Sequence, residues 1–174
     1  MPATTTPSPQ VATAPGLWAA CQNGHADAGL WAPSDDGPDL EISLLQAAHP
    51  SIAINGIRMA SPHAPWRDAQ LALSGLLNHR VVHLYGCALG HLPTLLLRSS
   101  ECVEDIHVHI LNSKAFKIQL QHMPDTEWLA DPRVKLRMAL ASDKPDRDAA
   151  MHISVPDLQL IEPGLWRLRD RLQA

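Results

Sequence analysis

Aromatic rings other than indole are almost missing from this chain, which has one Tyr and one Phe beside five Trp in 174 residues. Cysteine is also sparse. Three of them, Cys21, Cys87 and Cys102, are odd in number and irregularly spaced, so a secreted disulfide framework is excluded and a reducing cytoplasm is expected. Basic residues are outnumbered, with 14 Lys and Arg against 18 Asp and Glu and a formal net charge of -4. A nucleic-acid partner would need a clustered basic face, and none is present. No stretch approaches the roughly 18 uninterrupted apolar residues of a membrane helix, and the N-terminus lacks a basic segment followed by an apolar one. Neither membrane insertion nor a secretory leader is therefore expected.

What is present is a globular composition, 45% hydrophobic, long enough for one sizeable core. The most informative stretch is residues 80–97. Val81, Val82, Leu84 and Tyr85 form a β-prone run, Gly86 to Gly90 a tight turn, and Leu92, Leu95 and Leu96 an apolar stripe at helical spacing. Strand, glycine loop and helix in that order open a nucleotide-type βαβ unit, in which glycines allow a sharp reversal and a close backbone approach.

Residues 1–15 are rich in Pro, Thr, Ser and Ala and read as a flexible tail, with residues 16–174 as a single α/β domain. Residues 17–31, which hold Trp18 and Trp31, read as a short helix or an irregular wrap, and 33–38 as a turn-rich break. From 39 to about 60 a small β-meander is expected, with Leu40, Ile42 and Leu44 on one face, then Ile52 and Ile54, and an Asn55-Gly56 hairpin turn before Ile57 and Met59. Pro65 starts a helix whose stripe is Trp66, Ala69, Leu73, Leu76 and Leu77. The nucleotide-type core then runs from about 80 to 160. Residues 104–111 supply a second strand, Asn112-Ser113 can cap a helix carrying Phe116, Leu120 and Met123, and 133–140 and 151–155 read as further strands. A C-terminal helix over 162–173 turns Leu165, Leu168 and Leu172 inward. The alternation implies a mainly parallel Rossmann-like sheet flanked by helices, with the meander on its N-terminal side.

Three segments together resemble a known family: Ile54-Asn55-Gly56-Ile57, the Ser61 to Ala69 region with its Pro65-Trp66-Arg67-Asp68-Ala69 core, and Val82 to Leu92 with Gly86-Cys87-Ala88-Leu89-Gly90 at its centre. With Ile106 to Leu120 and Asp131-Pro132-Arg133-Val134, they are similar to the N-terminal region of the motility accessory factor (Maf) glycosyltransferases over about residues 40–160. The resemblance implies a bacterial accessory or interaction module linked to nonulosonic acid transfer in flagellin or surface glycosylation. Protein partners among glycosylation or flagellar components would follow, an oligomer would be compatible, and no catalytic residue is carried over because the family's transferase domain lies beyond this region.

The candidate cofactor-binding residues are Gly86, Cys87, Ala88, Leu89, Gly90 and Asn112. Two departures weaken them. Ala88 replaces the middle glycine, and Ile110 stands where a carboxylate would hold ribose hydroxyls. The expectation is accordingly no cofactor, with S-adenosylmethionine or a nucleotide-sugar as the alternative: the 84–90 segment has the outline of the first motif of S-adenosylmethionine-dependent methyltransferases. Metal binding by Cys87, His91, His107 and His109 is disfavoured by geometry, since the two strand histidines would project under the helices while the loop donors sit at the sheet's edge. Cys87 reads as a small buried thiol rather than a nucleophile, Asp143, Asp146 and Asp148 as a solvated loop, and Trp128 and Trp166 as edge cover or an interaction surface.

Overall fold

The computed structural model describes residues 39–146 and 148–174. The expected tail, the segment holding Trp18 and Trp31, and Cys21 lie outside the described residues. The chain begins with three antiparallel strands, β1 (Ile42–Leu45), β2 (Ser51–Ile54) and β3 (Ile57–Arg58), in spatial order β1-β2-β3. Asn55 and Gly56 both take positive φ, 50° and 76°, which is the left-handed pair a two-residue hairpin turn requires. The Asn55 side chain fixes the turn further by accepting from the Glu41 amide at 2.8 Å. β2 is buried along its whole length, but the expected inward face of β1 is not. Ile42 and Leu44 are 45% and 64% exposed, because β1 is an outer strand of the sheet, while β2 is packed on the rest of the fold.

Helix α1 (Pro65–Leu73) follows, with Pro65 in its first turn, where a missing N–H costs nothing. Ala69 and Leu73 are buried; Leu76 is buried too but lies past the helix end, and Trp66 is only half-buried. Next come β4 (Val81–Tyr85), α2 (His91–Ser99), β5 (Asp105–Ile110), α3 (Ser113–His122), a 3-10 turn at Glu127–Ala130, and β6 (Val134–Met138). The chain ends with β7 (Ala150–Ile153), α4 (Val155–Gln159), a second 3-10 turn at Pro163–Leu165, and α5 (Trp166–Gln173). The second sheet has the order β6-β5-β4-β7 and every pairing in it is parallel. This is the Rossmann-like arrangement expected from the alternation of strands and helices.

The sheet's two faces differ in chemistry because strand side chains alternate. Val82, Leu84, Ile106, Val108, Val134 and Leu136 are buried with residues of α1, α2 and α3 in the main core. Each such side chain contributes about 1.5–3 kcal/mol by leaving water. His83, Tyr85, His107 and His109 point the other way. His107 and His109 therefore do not lie under those helices, as the sequence reading had them. They stack with His83 and Tyr85 on the face that the second 3-10 turn and α5 partly cover through Leu165, Leu168 and Leu172.

Candidate functional site

The site is built by the turn after β4. Gly86 continues the strand ladder by donating to the His109 carbonyl at 2.9 Å and then takes φ 83°. A Cβ there would fall 2.3 Å from Cβ of Asp157, so only glycine allows the two backbones this close. Ala88 sits at φ 46° despite its methyl group, and its N–H donates to Asp157 Oδ2 at 2.8 Å. That bond holds a left-handed alanine that otherwise costs about 1–2 kcal/mol. Gly90 closes the turn at φ 80°, donating to the Cys87 carbonyl at 2.8 Å and accepting from Thr94 Oγ1 at 2.7 Å. Its missing side chain makes room for the Trp128 indole, whose Nε1 would lie 2.7 Å from a Cβ.

Asp157, buried at the first turns of α4, ties the loop to three other elements. One oxygen accepts from Ala88 and from the Ser154 hydroxyl, and the other from Gln119 Nε2 at 2.9 Å on α3. Gln119 also reaches Met59 Sδ, 3.3 Å away beside the hairpin. Burial pushes the Asp157 carboxyl above its ordinary value, against the pull of the donors from Ser154, Gln119 and Ala88.

Strand order explains where a ligand can enter. β4 leads to β5 on one side and the chain returns to place β7 on its other side, so the loops after β4 and β7 leave in opposite directions and open a crevice between them. A cavity of about 510 Å³ occupies that crevice. Its walls are Gly86, Cys87 and Ala88 from the loop, His152 to Pro156 from the end of β7, His91 to Pro93 from α2, and Arg58 to Ser61 with one side of α1. Of the six residues singled out in the sequence, Gly86, Cys87 and Ala88 line this cavity. Leu89 is instead packed with Ile52, Ile54 and Leu160, and Gly90 lies under Trp128. Asn112 caps α3, accepting from the Ala115 N–H at 3.0 Å and donating to the Leu160 carbonyl at 2.7 Å. Its amide is spent on structure.

Asp157, His152 and the hairpin residues had not been placed at this site, and His91 had been placed at the loop only as a disfavoured metal donor. His91 meets Trp66 edge-on at 4.7 Å, and no protein group among the described residues hydrogen-bonds to the ring of either His91 or His152. Burial lowers both imidazoles from their ordinary value, with a contribution from His49 at His91 and an opposing pull from Asp157 at His152, so both are neutral at pH 7. Burial also raises the Cys87 thiol well above its ordinary value, which overrides the nearby helix start and leaves it protonated. Among the described residues no cluster of three or more His, Cys, Asp or Glu side chains is arranged to hold a metal ion, and no helix is long and apolar enough to cross a membrane.

The parallel sheet, the glycine turn and the cavity at the strand ends define a Rossmann-like α/β fold. Among solved structures it is similar to the spermidine synthase of Thermotoga maritima, with a TM-score of 0.57 and 16% identity over 70% of this chain and 45% of that one. A spermidine synthase in complex with the transition-state analogue AdoDATO matches with a TM-score of 0.51 and 16% identity over 61% of this chain and 39% of that one. The chain thus spans less than half the length of either. No protein-family model matches it, and no curated protein does.

These findings overturn the resemblance to Maf glycosyltransferases, and with it the link to motility and flagellin glycosylation: no family model supports it, and the fold neighbours are spermidine synthases. The short motifs that carried it are a hairpin turn, a proline helix start and a glycine loop, each explained above by local geometry. The expectation of no cofactor is corrected as well, since AdoDATO is bound in a neighbour of this fold.

Proposed function

We propose that this chain forms the ligand-binding core of a transferase that uses an S-adenosyl sulfonium donor. The observation that carries the reading is the cavity's position, between the glycine turn and the end of β7 and roofed by the hairpin. Its volume of about 510 Å³ falls in the range of about 300–1,000 Å³ typical of small-molecule sites. The residues present suit the sulfur-bearing end of such a donor. The backbone at Gly86 and Ala88 would hold it, Met59, Leu84, Leu92 and Pro156 would enclose its aliphatic chain, and the neutral His152 would leave the positive sulfur unopposed by a second charge. Bound there, the donor supplies a carbon made electrophilic by cationic sulfur. The protein's part is to exclude water, fix the donor against the turn and keep a neutral imidazole at the transfer point. Ribose is not held by a carboxylate at the end of β5, where Ile110 and the committed Asn112 stand.

A calorimetric and thermal-shift series tests the reading. S-adenosylmethionine, its decarboxylated form and S-adenosylhomocysteine are compared with CMP, a UDP-sugar and NAD. A ligand at a hundred times its Kd stabilises by about 2.7 kcal/mol, a shift of several degrees. At least one S-adenosyl compound is expected to give it. Stabilisation by the UDP-sugar alone, or by none of the six, refutes the reading.

A further inference from the structure

We infer that the acceptor at this site is an uncharged, mainly apolar molecule with one hydroxyl, thiol or ring N–H nucleophile, and that His152 takes its proton. The inference rests on the transferase reading and extends it to the second substrate. Its first support is the supply of carboxylates. An ammonium group brought into a cavity needs a carboxylate to offset its lost hydration, or its burial costs several kcal/mol. Asp157 is next to the cavity, but its oxygens are engaged by Ala88, Ser154 and Gln119. Asp68 is the one acid on the cavity wall; it is exposed at the rim, and Arg58 shares that rim. An acceptor ammonium would therefore be a second positive charge beside the donor's sulfonium, with no carboxylate inside the cavity free to offset it.

The second support is the pair of imidazoles. His91 and His152 line the cavity from different elements, α2 and β7, with hydrogen-bonding capacity that no described protein group uses. His91 has its ring braced edge-on by Trp66, whereas His152 is held by β7 in register with Leu84. His152 thus lines the cavity from the end of β7, and His91 from the first residue of α2, just past the glycine turn. In the transfer the acceptor's lone pair forms the new bond to the donor carbon as the carbon–sulfur bond breaks, and the electron pair of the broken bond stays on sulfur, turning the sulfonium into a thioether. The acceptor's proton passes to the free ring nitrogen of His152, and the imidazolium releases it to solvent.

Phenol and putrescine serve as probes. The histidine ring nitrogens of the full chain are followed by ¹⁵N NMR while each is added, with and without saturating S-adenosylhomocysteine, and His152→Gln assigns the signal. Phenol is expected to shift the His152 resonance, putrescine to leave it in place, and His152→Gln to weaken phenol at least tenfold while its affinity for S-adenosylhomocysteine changes less than twofold. Ala72→Leu, which fills the cavity from α1 and leaves His152 intact, should weaken phenol equally. Putrescine binding as tightly as phenol, or phenol affinity unchanged in His152→Gln, overturns the inference. A phenol shift at His152 in a protein that binds no S-adenosyl compound supports the acceptor site while refuting the donor.

Discussion

His109 should set the acid limit of this fold. The side chain is 2% exposed; its Nε2 lies 3.0 Å from His83 Nδ1, its ring stacks on Tyr85 at 4.3 Å, and its Nδ1 has no partner. Burial, with the Arg137 guanidinium and then His83 adding to it, lowers its pKa to about 3, while Asp143 pulls weakly the other way and His107 weakly with them. The unfolded chain takes up a proton near 6.5, so between about 6.5 and 3 the unfolded state binds more protons than the folded one and stability falls as pH falls. The loss attributable to this single ring is about 2 kcal/mol at pH 5 and about 3 kcal/mol at pH 4, and it is absent above pH 7. Urea unfolding followed by tryptophan fluorescence at pH 7, 6, 5 and 4 measures it, with His109→Phe as reference. Phenylalanine keeps the ring against Tyr85 and removes the titration of residue 109. His91, His152 and Asp157 titrate in both proteins and cancel in the difference, whereas His83 and His107 are coupled to His109 and their response to its loss is part of what the difference reports. Equal slopes in wild type and His109→Phe would show that the ring is protonated in the fold at ordinary pH and refute the reasoning.

Gly86→Ala forces a side chain into left-handed backbone 2.3 Å from Asp157 Cβ and should cost about 3 kcal/mol or more, read as a lower urea midpoint. A loss under about 1 kcal/mol would mean that Asp157 moves freely away from the turn. Asn112→Ala removes the cap of α3 and the bond to the Leu160 carbonyl, and about 1–2 kcal/mol is expected in the same assay. Asp157→Asn places an amide donor among three donors; it should speed hydrogen exchange at the Ala88 amide at least tenfold, and unchanged exchange there would count against the carboxylate as the anchor of the loop.

The fold was legible because its signals are local. Alternation over 81–85 and 105–110, the Asn55-Gly56 pair and the Asn112 cap each fix a backbone state from a few neighbouring residues. β1 was read as half-buried because alternation reports a face and not whether anything covers it; Ile42 and Leu44 keep the pattern on an outer strand. α4 was missed because Val155 to Gln159 is five residues long and begins with Val-Pro, too short for periodicity to register. The histidines of β5 were assigned to the wrong face for a related reason. Ile106, Val108 and Ile110 alternate with them, and alternation does not say which set the helices cover until α5 is known to take the other side.

The site was half legible, and the missing half depends on contacts distant in sequence. Gly86 to Ala88 announce a turn, but what fills it is Asp157, 69 residues on from Ala88, held by a glutamine on a third element. Glycine in such a loop is usually read as room for a ligand; here Gly86 makes room for a carboxylate of the same chain and Gly90 for an indole. The loop is therefore clamped by α3 and α4, and the face it offers to a ligand is the one that borders the cavity, toward α1. That geometry makes the hairpin a wall of the cavity, through Arg58 to Ser61, as well as a bystander packed on Leu89 and Leu160. Two sheets separate in sequence thus meet at one cavity, and the residues that give it chemistry, His91 and His152, belong to the helix and strand that the clamped turn holds in place.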